Sequence, residues 1–343
     1  MNRQVLYFTG PLGIEVREEI APDPGPGELK IRTLVSGISS GTEMLFYRGQ
    51  VPEDLEVDSS ISALQNQAQY PLKYGYSCVG KVDDLGRGVD QGWLGKKVFS
   101  FHPHESHFCA LPSEVILLPD GTPPERAIFL PNMETALNLV MDGQPLVGEF
   151  VAVFGLGIVG LLTSSVLMGF PLGGLVAFDR YPLRRAAAAR LGCEFVLDPL
   201  DEDAWREAEA AFRKQGMPDG LDLAFELSGA PSALDQAIAL TGYSGRIVIG
   251  SWYGKKSVNL NLGGKFHRSR IHLISSQVST IAPGLTGRWD KKRRFGLAWD
   301  QLEKVRPESW ITHRFPIRSA PEAYRLLAEE PEKAIQVIFK YEG

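Results

Sequence analysis

A chain of 343 residues is long enough to close two separate hydrophobic cores. At 44% apolar and 22% charged residues it has the composition of an ordinary globular protein, which excludes a disordered or collagen-like chain. The net charge of −5 gives no broad positive field for holding nucleic acid or an anionic membrane. The one concentrated basic run, RWDKKRR, carries Arg288, Lys291, Lys292, Arg293 and Arg294, and reads as a solvated helix start rather than an anion-binding patch. Cys78, Cys109 and Cys193 are far apart with no CxxC pair, which argues for a reducing compartment. The opening MNRQVLYFTGPLGIEV has no signal-peptide core, and the apolar run VAVFGLGIVGLL is too short and too glycine-rich to span a bilayer. The expectation is a cytoplasmic protein with neither nucleic-acid nor membrane partners.

Up to about residue 125 the chain is β in character. QVLYF, ELKIRTLV, SCVGKV, KKVFSF and SEVILLP are short strand-like runs between Pro and Gly clusters such as APDPGPGE, as in a barrel or sandwich. After ELKIRTLV, the stretch SGISSGTEMLFYRG places Ser36, Ser39, Ser40, Thr42 and Glu43 within eight positions. Such residues can cap a helix or line a reaction site. HPHESHFC gathers His102, His104, His107 and Cys109. Strand alternation puts 102 and 104 on one face and 107 on the other, and Pro103 disturbs that register. Metal ligands, plain strand-edge histidines and a substrate-cleft role for His104 or His102 all stay open.

From about residue 130 strands and helices alternate. EFVAVFG, GLVAFD, CEFVLD, LDLAFELSG, GRIVIG and RIHLISSQ are nearly continuous apolar runs, the signature of buried parallel strands. Between them GIVGLLTSSVLMG is apolar on all sides. PLRRAAAARLG starts at Pro182 and stops at Gly192, DAWREAEAAFRKQG carries Trp205, Ala208 and Phe212 on one face, and PSALDQAIALTG again opens with proline. This pattern predicts a doubly wound sheet. SAPEAYRLLAEEP and KAIQVIFKY then give a helix and a strand, with Ser319 and Glu322 spaced as a capping box.

EFVAVFGLGIVGLL contains Gly155, Gly157 and Gly160 as G-x-G-x-x-G between a strand and a helix, and the next strand ends at Asp179. Together these parts form a dinucleotide fingerprint. Gly155 makes the tight turn, Gly157 leaves room for the pyrophosphate, and Gly160 lets helix and strand approach. Ile158 and Val159 open the helix whose N-terminus faces the phosphates. Asp179 suits a ribose 2′-hydroxyl and disfavours a 2′-phosphate, so NAD is expected over NADP, although Arg180 beside it could hold that phosphate.

The whole chain resembles the medium-chain dehydrogenase/reductase family: a β-rich first third, the Rossmann unit, FELSGAPSALDQAI as its fourth-strand segment, and ITHRFPIRSAPEAYRLL as its C-terminal catalytic segment. The resemblance implies an α/β fold in which a Rossmann doubly wound parallel sheet (132–276) is inserted in a β-rich GroES-like catalytic domain (1–131 and 277–343). GIS-x-GTE and YPL-x-x-GY also look like motifs of the bacteriochlorophyllide-type hydroxyethyl dehydrogenases. The zinc enzymes of the family have a cysteine where Ser40 stands, with Thr42 and Glu43 keeping the T-D character. They have a histidine where Tyr76 stands, an acid at Ser77, and a Cys or Glu at Pro131; the structural-zinc cysteine cluster is reduced to Cys109 at most. Hydroxyls and proline bind zinc poorly, so this sequence resembles a zinc-free branch.

That resemblance places Ser40, Thr42 and Tyr76 at the substrate oxygen, with His104 and Glu134 as groups that could pass a proton onward. Thr135 looks like the residue that touches the nicotinamide ring. Ser228, Gly250, Ser251, Trp252 and Ser276 end later strands on the cofactor side. The segment VPEDLEVDSSISALQNQAQ, between the two catalytic motifs, is expected to help shape the pocket. The expected activity is zinc-independent, NAD-dependent interconversion of a secondary alcohol and a ketone on a small, bulky or cyclic molecule, by a homodimer or homotetramer. An NADPH-dependent quinone or enone reductase and a non-catalytic dinucleotide-binding protein are the alternatives.

Overall fold

A computed structural model describes residues 1–52 and 69–342. The pocket-shaping role expected of the segment 51–69 therefore falls almost entirely outside the described residues. In the first unit, Met1–Pro131 with Arg306–Gly343, β1 (Asn2–Gly10) and β2 (Gly13–Ile20) form an antiparallel hairpin. β3 (Leu29–Gly37) follows, then the short α1 (Thr42–Tyr47), β4 (Cys78–Leu85), β5 (Lys97–Ser100), β6 (His107–Ala110), β7 (Val115–Leu117) and α2 (Pro124–Ala127). β3 shows why the segment is a strand: Leu29, Ile31, Thr33 and Val35 alternate inward. Leu29 and Ile31 meet Cys78, Val82, Val98 and Phe108 in one apolar cluster, and burial there pushes the Cys78 thiol up to about 12.

The second unit, Asn132–Val305, holds most of α3 (Leu130–Gly143) and then β8 (Phe150–Phe154), α4 (Ile158–Leu167), β9 (Gly174–Phe178), α5 (Pro182–Leu191), β10 (Phe195–Leu197) and α6 (Glu202–Lys214). β11 (Leu221–Glu226), α7 (Pro231–Leu240), β12 (Thr241–Ile249), β13 (His272–Ser275) and α8 (Lys291–Val305) complete it. Among the described residues, six parallel strands lie in the order β10-β9-β8-β11-β12-β13. This is the doubly wound order, reversing beside β8. Every residue of β8 and β9 is buried, as unbroken apolar runs predict for strands covered on both faces. The helix punctuation holds as well. Pro182 opens α5, and Gly192 ends it at φ +99°, a left-handed conformation that glycine adopts without strain. Phe212 of α6 is fully buried against Gly174, where an added Cβ would come within 2.5 Å of its ring.

The second crossing between units comes at 305/306, not at the 276/277 expected from sequence. The reason lies in α8, which carries part of the basic run. Arg294, Ala298 and Leu302 form a buried stripe at i, i+4, i+8, so the helix packs into the second unit. The solvated-start reading holds for Lys292 and Arg293, which are exposed, and fails for Arg294, which is not.

The chain then returns to the first unit as β14 (Ile311–Pro316), α9 (Ala320–Glu329) and β15 (Gln336–Lys340). β15 pairs antiparallel with β3, giving the path β14-β15-β3-β4-β5-β7, with β6 also on β3. The capping box expected at Ser319 does not form. The residue ends a short 3₁₀ turn at φ −94°, ψ 23°, outside the extended conformation that aims a cap side chain at the helix, and its hydroxyl makes no cap bond. Glu125 of α2 binds Arg314 of β14 (Oε2 at 2.8 Å from Nη2) and Lys340 of β15 (2.8 Å). Hydrogen bonding from Arg314, with Lys340 adding to it, lowers its carboxyl pKa from 4.5 to about 2 against the opposing effect of burial.

A depressed acid stabilises the fold above its unfolded pKa and loses that contribution as pH falls through the folded one. Acid titration should therefore show stability lost between pH 4.5 and about 2 that is missing in Glu125→Gln. Urea midpoints measured at a series of pH values check this; parallel curves for the two proteins would refute it.

Candidate active site

The dinucleotide edge is built at the carboxyl end of β8. Gly155 has φ +98°, and a Cβ there would meet the Ser228 backbone at 2.7 Å. A Cβ on Gly160 would sit 1.9 Å from the Gly155 carbonyl oxygen, while one on Gly157 would meet nothing within 4 Å. Two glycines are thus demanded by close packing, and the third leaves open space in front of the N-terminus of α4. Ile158 and Val159 begin that helix, whose first-turn N–H groups have no partner within the helix. The chain's own residues therefore fit a pyrophosphate.

Asp179 follows β9, nearly buried. Its Oδ2 accepts from the Leu156 N–H (2.7 Å) and its Oδ1 from the Tyr181 N–H (2.8 Å). Each oxygen keeps a further lone pair for a ribose hydroxyl. Arg180 is exposed and lies over the Tyr181 ring at 4.6 Å, with its Nη2 bonded to the Tyr181 hydroxyl. Arg184 covers the same ring at 4.8 Å, and burial lowers its pKa.

Glu226, at the end of β11, is a residue that sequence reasoning missed. It is fully buried, and its Oε1 accepts from Ser228 N–H (2.8 Å), Ser228 Oγ (2.6 Å) and Gly229 N–H (3.1 Å). Its Oε2 accepts from Tyr253 OH at 2.7 Å, and burial followed by this carboxylate pushes the phenol pKa upward. Ser251 Oγ takes the Gly229 N–H (2.9 Å), and Gly250 N–H reaches the Glu226 carbonyl (3.0 Å). One acid thus ties the loop after β11 to the loop after β12, including Ser228, Gly250 and Ser251; Trp252 next to them is 39% exposed. A lone acid ending the apolar run LDLAF was the available signal. Ser276 turns its hydroxyl inward to Asp142 (2.7 Å) and Asn138 (2.9 Å), so its side chain serves the scaffold. Thr135 is half-buried on α3.

In the first unit the stretch 36–43 surrounds a buried carboxylate. Glu43 accepts the Ser39 N–H at Oε1 (2.8 Å), and at Oε2 it meets the Tyr324 hydroxyl and His104 Nε2 (3.1 Å). His104 Nδ1 lies 2.7 Å from Ser36 Oγ, which is 2.8 Å from Tyr341 OH. Burial, then the Glu43 carboxylate, hold the Tyr324 phenol well above its ordinary range, so it acts as a donor. Gly75 is required at φ +127° because the His104 ring packs 2.8 Å from where its Cβ would be. His104 and Glu43 are both 0% exposed.

His104, expected to serve in the cleft or in a proton relay, has no exposed surface, and both of its ring nitrogens have hydrogen-bond partners. Glu134, the other residue expected to pass a proton, is nearly buried and receives Arg294 Nε (3.1 Å) and Nη2 (2.7 Å) on Oε1 in an ion pair. Ser40 and Thr42 are partly exposed at the start of α1, and half-buried Tyr76 donates to Ser39 Oγ at 2.5 Å.

Of the histidine cluster, His102 stacks on Phe108 with ring centroids 3.8 Å apart, and burial lowers the pKa of His102 and His107. Among the described residues no group of three or more His, Cys, Asp or Glu side chains is placed to hold a metal ion. The motif positions instead carry a serine hydroxyl, a phenol already bonded to Ser39, and a proline, a donor set that does not fit zinc.

Replacing Glu43 tests the hub. Glu43→Leu leaves two buried donors, on His104 and Tyr324, and the half-buried Ser39 N–H without their acceptor and is expected to cost about 3 kcal/mol or more; Glu43→Gln, which keeps a carbonyl, should cost roughly half of that. Urea unfolding measures both, and a leucine variant as stable as the wild type would remove Glu43 from this role.

The sequence profile of the zinc-binding dehydrogenases matches residues 155–290. Among curated proteins, D-guloside 3-dehydrogenase of Escherichia coli K12 is 24% identical over 90% of this chain and 92% of its own. The 2-desacetyl-2-hydroxyethyl bacteriochlorophyllide A dehydrogenase of Rhodobacter capsulatus is 25% identical over 97% of this chain and 96% of its own, in line with the resemblance seen in GIS-x-GTE. Among solved structures, the short chain alcohol dehydrogenase rspB of E. coli CFT073, complexed with NADH, superposes with a TM-score of 0.77 at 19% identity over 99% of each chain. The chain is thus similar over most of its length to dehydrogenases of the medium-chain dehydrogenase/reductase type, and it carries their fold, from the β-rich GroES-like unit to the inserted Rossmann sheet.

Proposed function

We propose that the protein is an NAD-dependent oxidoreductase that interconverts a secondary alcohol and a ketone by hydride transfer, without zinc. The observation that carries the reading is a complete dinucleotide edge in a chain whose metal-ligand positions hold Ser40, Tyr76 and Pro131. The carboxylate of Asp179, anchored by two backbone N–H groups, is the basis for NAD over NADP. When bound, the nicotinamide supplies or accepts the hydride.

The chain's part is to orient the substrate and support charge on its oxygen. Ser39 Oγ accepts from Tyr76 OH and, at 3.4 Å, from the Thr42 N–H. Its own O–H is then left to donate, beside the hydroxyls of Ser40 and Thr42. A cluster of donors stabilises a developing alkoxide where a metal would otherwise act. The names of the two curated relatives, a dehydrogenase of a guloside and one of a hydroxyethyl bacteriochlorophyllide, support a bulky or cyclic alcohol as substrate. Action as a homodimer or homotetramer in the cytoplasm is part of the same proposal.

Chelator-treated protein titrated with NADH and NADPH tests the cofactor. NADH is expected to bind at least about tenfold tighter, and Asp179→Ser to erase most of that margin. Tighter NADPH binding would instead assign Arg180 and Arg184, which flank Tyr181, to a 2′-phosphate, and would point to enone or quinone reduction. Binding that disappears on chelation and returns with zinc would overturn the metal-free reading. Tyr76→Phe should lower kcat/KM about 10²-fold with unchanged NADH affinity; a rate equal to wild type in a panel of cyclic alcohols would remove Tyr76 from the site.

A further inference from the structure

The largest fully buried side chain among the described residues is Arg294 of α8. A guanidinium has five N–H donors, and here each has an acceptor. Nε reaches Glu134 Oε1 (3.1 Å), and Nη2 reaches the same oxygen (2.7 Å) and the Val278 carbonyl (2.5 Å). Nη1 reaches Asn138 Oδ1 (2.5 Å) and the Thr280 carbonyl (3.2 Å). Asn138 passes the connection on, donating to Asp142 Oδ2 and to Ser276 Oγ, each at 2.9 Å. Glu134, Asn138 and Asp142 stand at i, i+4 and i+8, one polar stripe on α3.

The segment held by this stripe, Ser276–Thr280, follows β13. In a parallel sheet all carboxyl ends lie along one edge, so it shares that edge with the Gly155 turn. Asp179 follows β9, on one side of β8, and marks the adenosine half of a dinucleotide. With the pyrophosphate at the end of β8, the other half extends toward β11, β12 and β13.

We propose that Arg294 is a positioning residue for the nicotinamide half: it locks the Ser276–Thr280 backbone to the start of α3, beside Thr135, so that this wall is already rigid before the ligand arrives. The inference rests on the dinucleotide reading above. Rigidity formed during folding spares binding the cost of ordering a loop.

The test compares the full-length wild type with Arg294→Lys and Asn138→Ala, titrated with NADH (or NADPH, whichever the wild type prefers) and with ADP-ribose, which lacks the nicotinamide. Arg294→Lys should weaken the dinucleotide about tenfold and Asn138→Ala about threefold, with ADP-ribose affinity unchanged in both. Millimolar guanidinium should restore dinucleotide affinity to Arg294→Ala. If Arg294→Lys fails to fold, the asparagine variant carries the comparison. Parallel weakening of both ligands, or no change in either, would show that Arg294 serves stability alone and would overturn the proposal. A wild type that binds neither ligand would instead refute the dinucleotide reading itself.

Discussion

A carboxylate removed from water must find hydrogen-bond donors inside the protein, and Glu43 shows how much structure that requirement recruits. Its donors come from Ser39 in its own loop, from His104 in the segment before β6 and from Tyr324 on α9, with Ser36 and Tyr341 completing the chain behind His104. These residues are scattered through both pieces of the first unit. The helix that returns last is therefore tied to the loop that carries Ser40 and Thr42. A glycine at position 75 is part of the same constraint, since the His104 ring occupies the space of any larger side chain. The G-Y-S motif holds its shape because a histidine behind it is held by an acid.

The second unit uses the same device twice. Glu226 gathers the loops after β11 and β12 with four hydrogen bonds, and Arg294, with all its donors used, ties the segment after β13 to α3. Both act at the sheet edge where a doubly wound fold binds its ligand. Loops there need a defined shape without a regular ladder of their own, and a buried charge with every valence used supplies it. The apolar core of β8, β9 and β11 sets where the edge is; the buried polar groups set what the edge looks like.

Legibility in the sequence followed the range of the forces involved. The central parallel strands β8 and β9 could be read because they are covered on both faces and so apolar throughout. The glycine turn could be read because Gly155 and Gly160 answer to contacts within a few residues or with the segment after one neighbouring strand. The closed networks could not. Glu43 and Tyr324 are 281 positions apart, and Glu134 and Arg294 are 160 apart, so nothing local told a buried acid from a reactive one. The partners of His104 and Glu134 stay out of view for that reason. The domain boundary slipped by some thirty residues through the same blindness: an arginine in a run of surface cations does not reveal that its partners lie inward. Ser319 shows the converse, a motif spacing present without the backbone conformation that makes it work.

The pairing of β3 with β15, Gly37 opposite Ile338, also sets a schedule for biosynthesis. About 300 residues must be translated between those partners, roughly 30 s at ~10 residues per second. Throughout that interval Val35–Gly37 of β3 lack their partner strand and Glu43 lacks Tyr324, whereas the 132–305 segment is completed within it and contains all its own sheet partners. The inserted unit can therefore mature first on the nascent chain. The unit that begins first is thus the last to be completed.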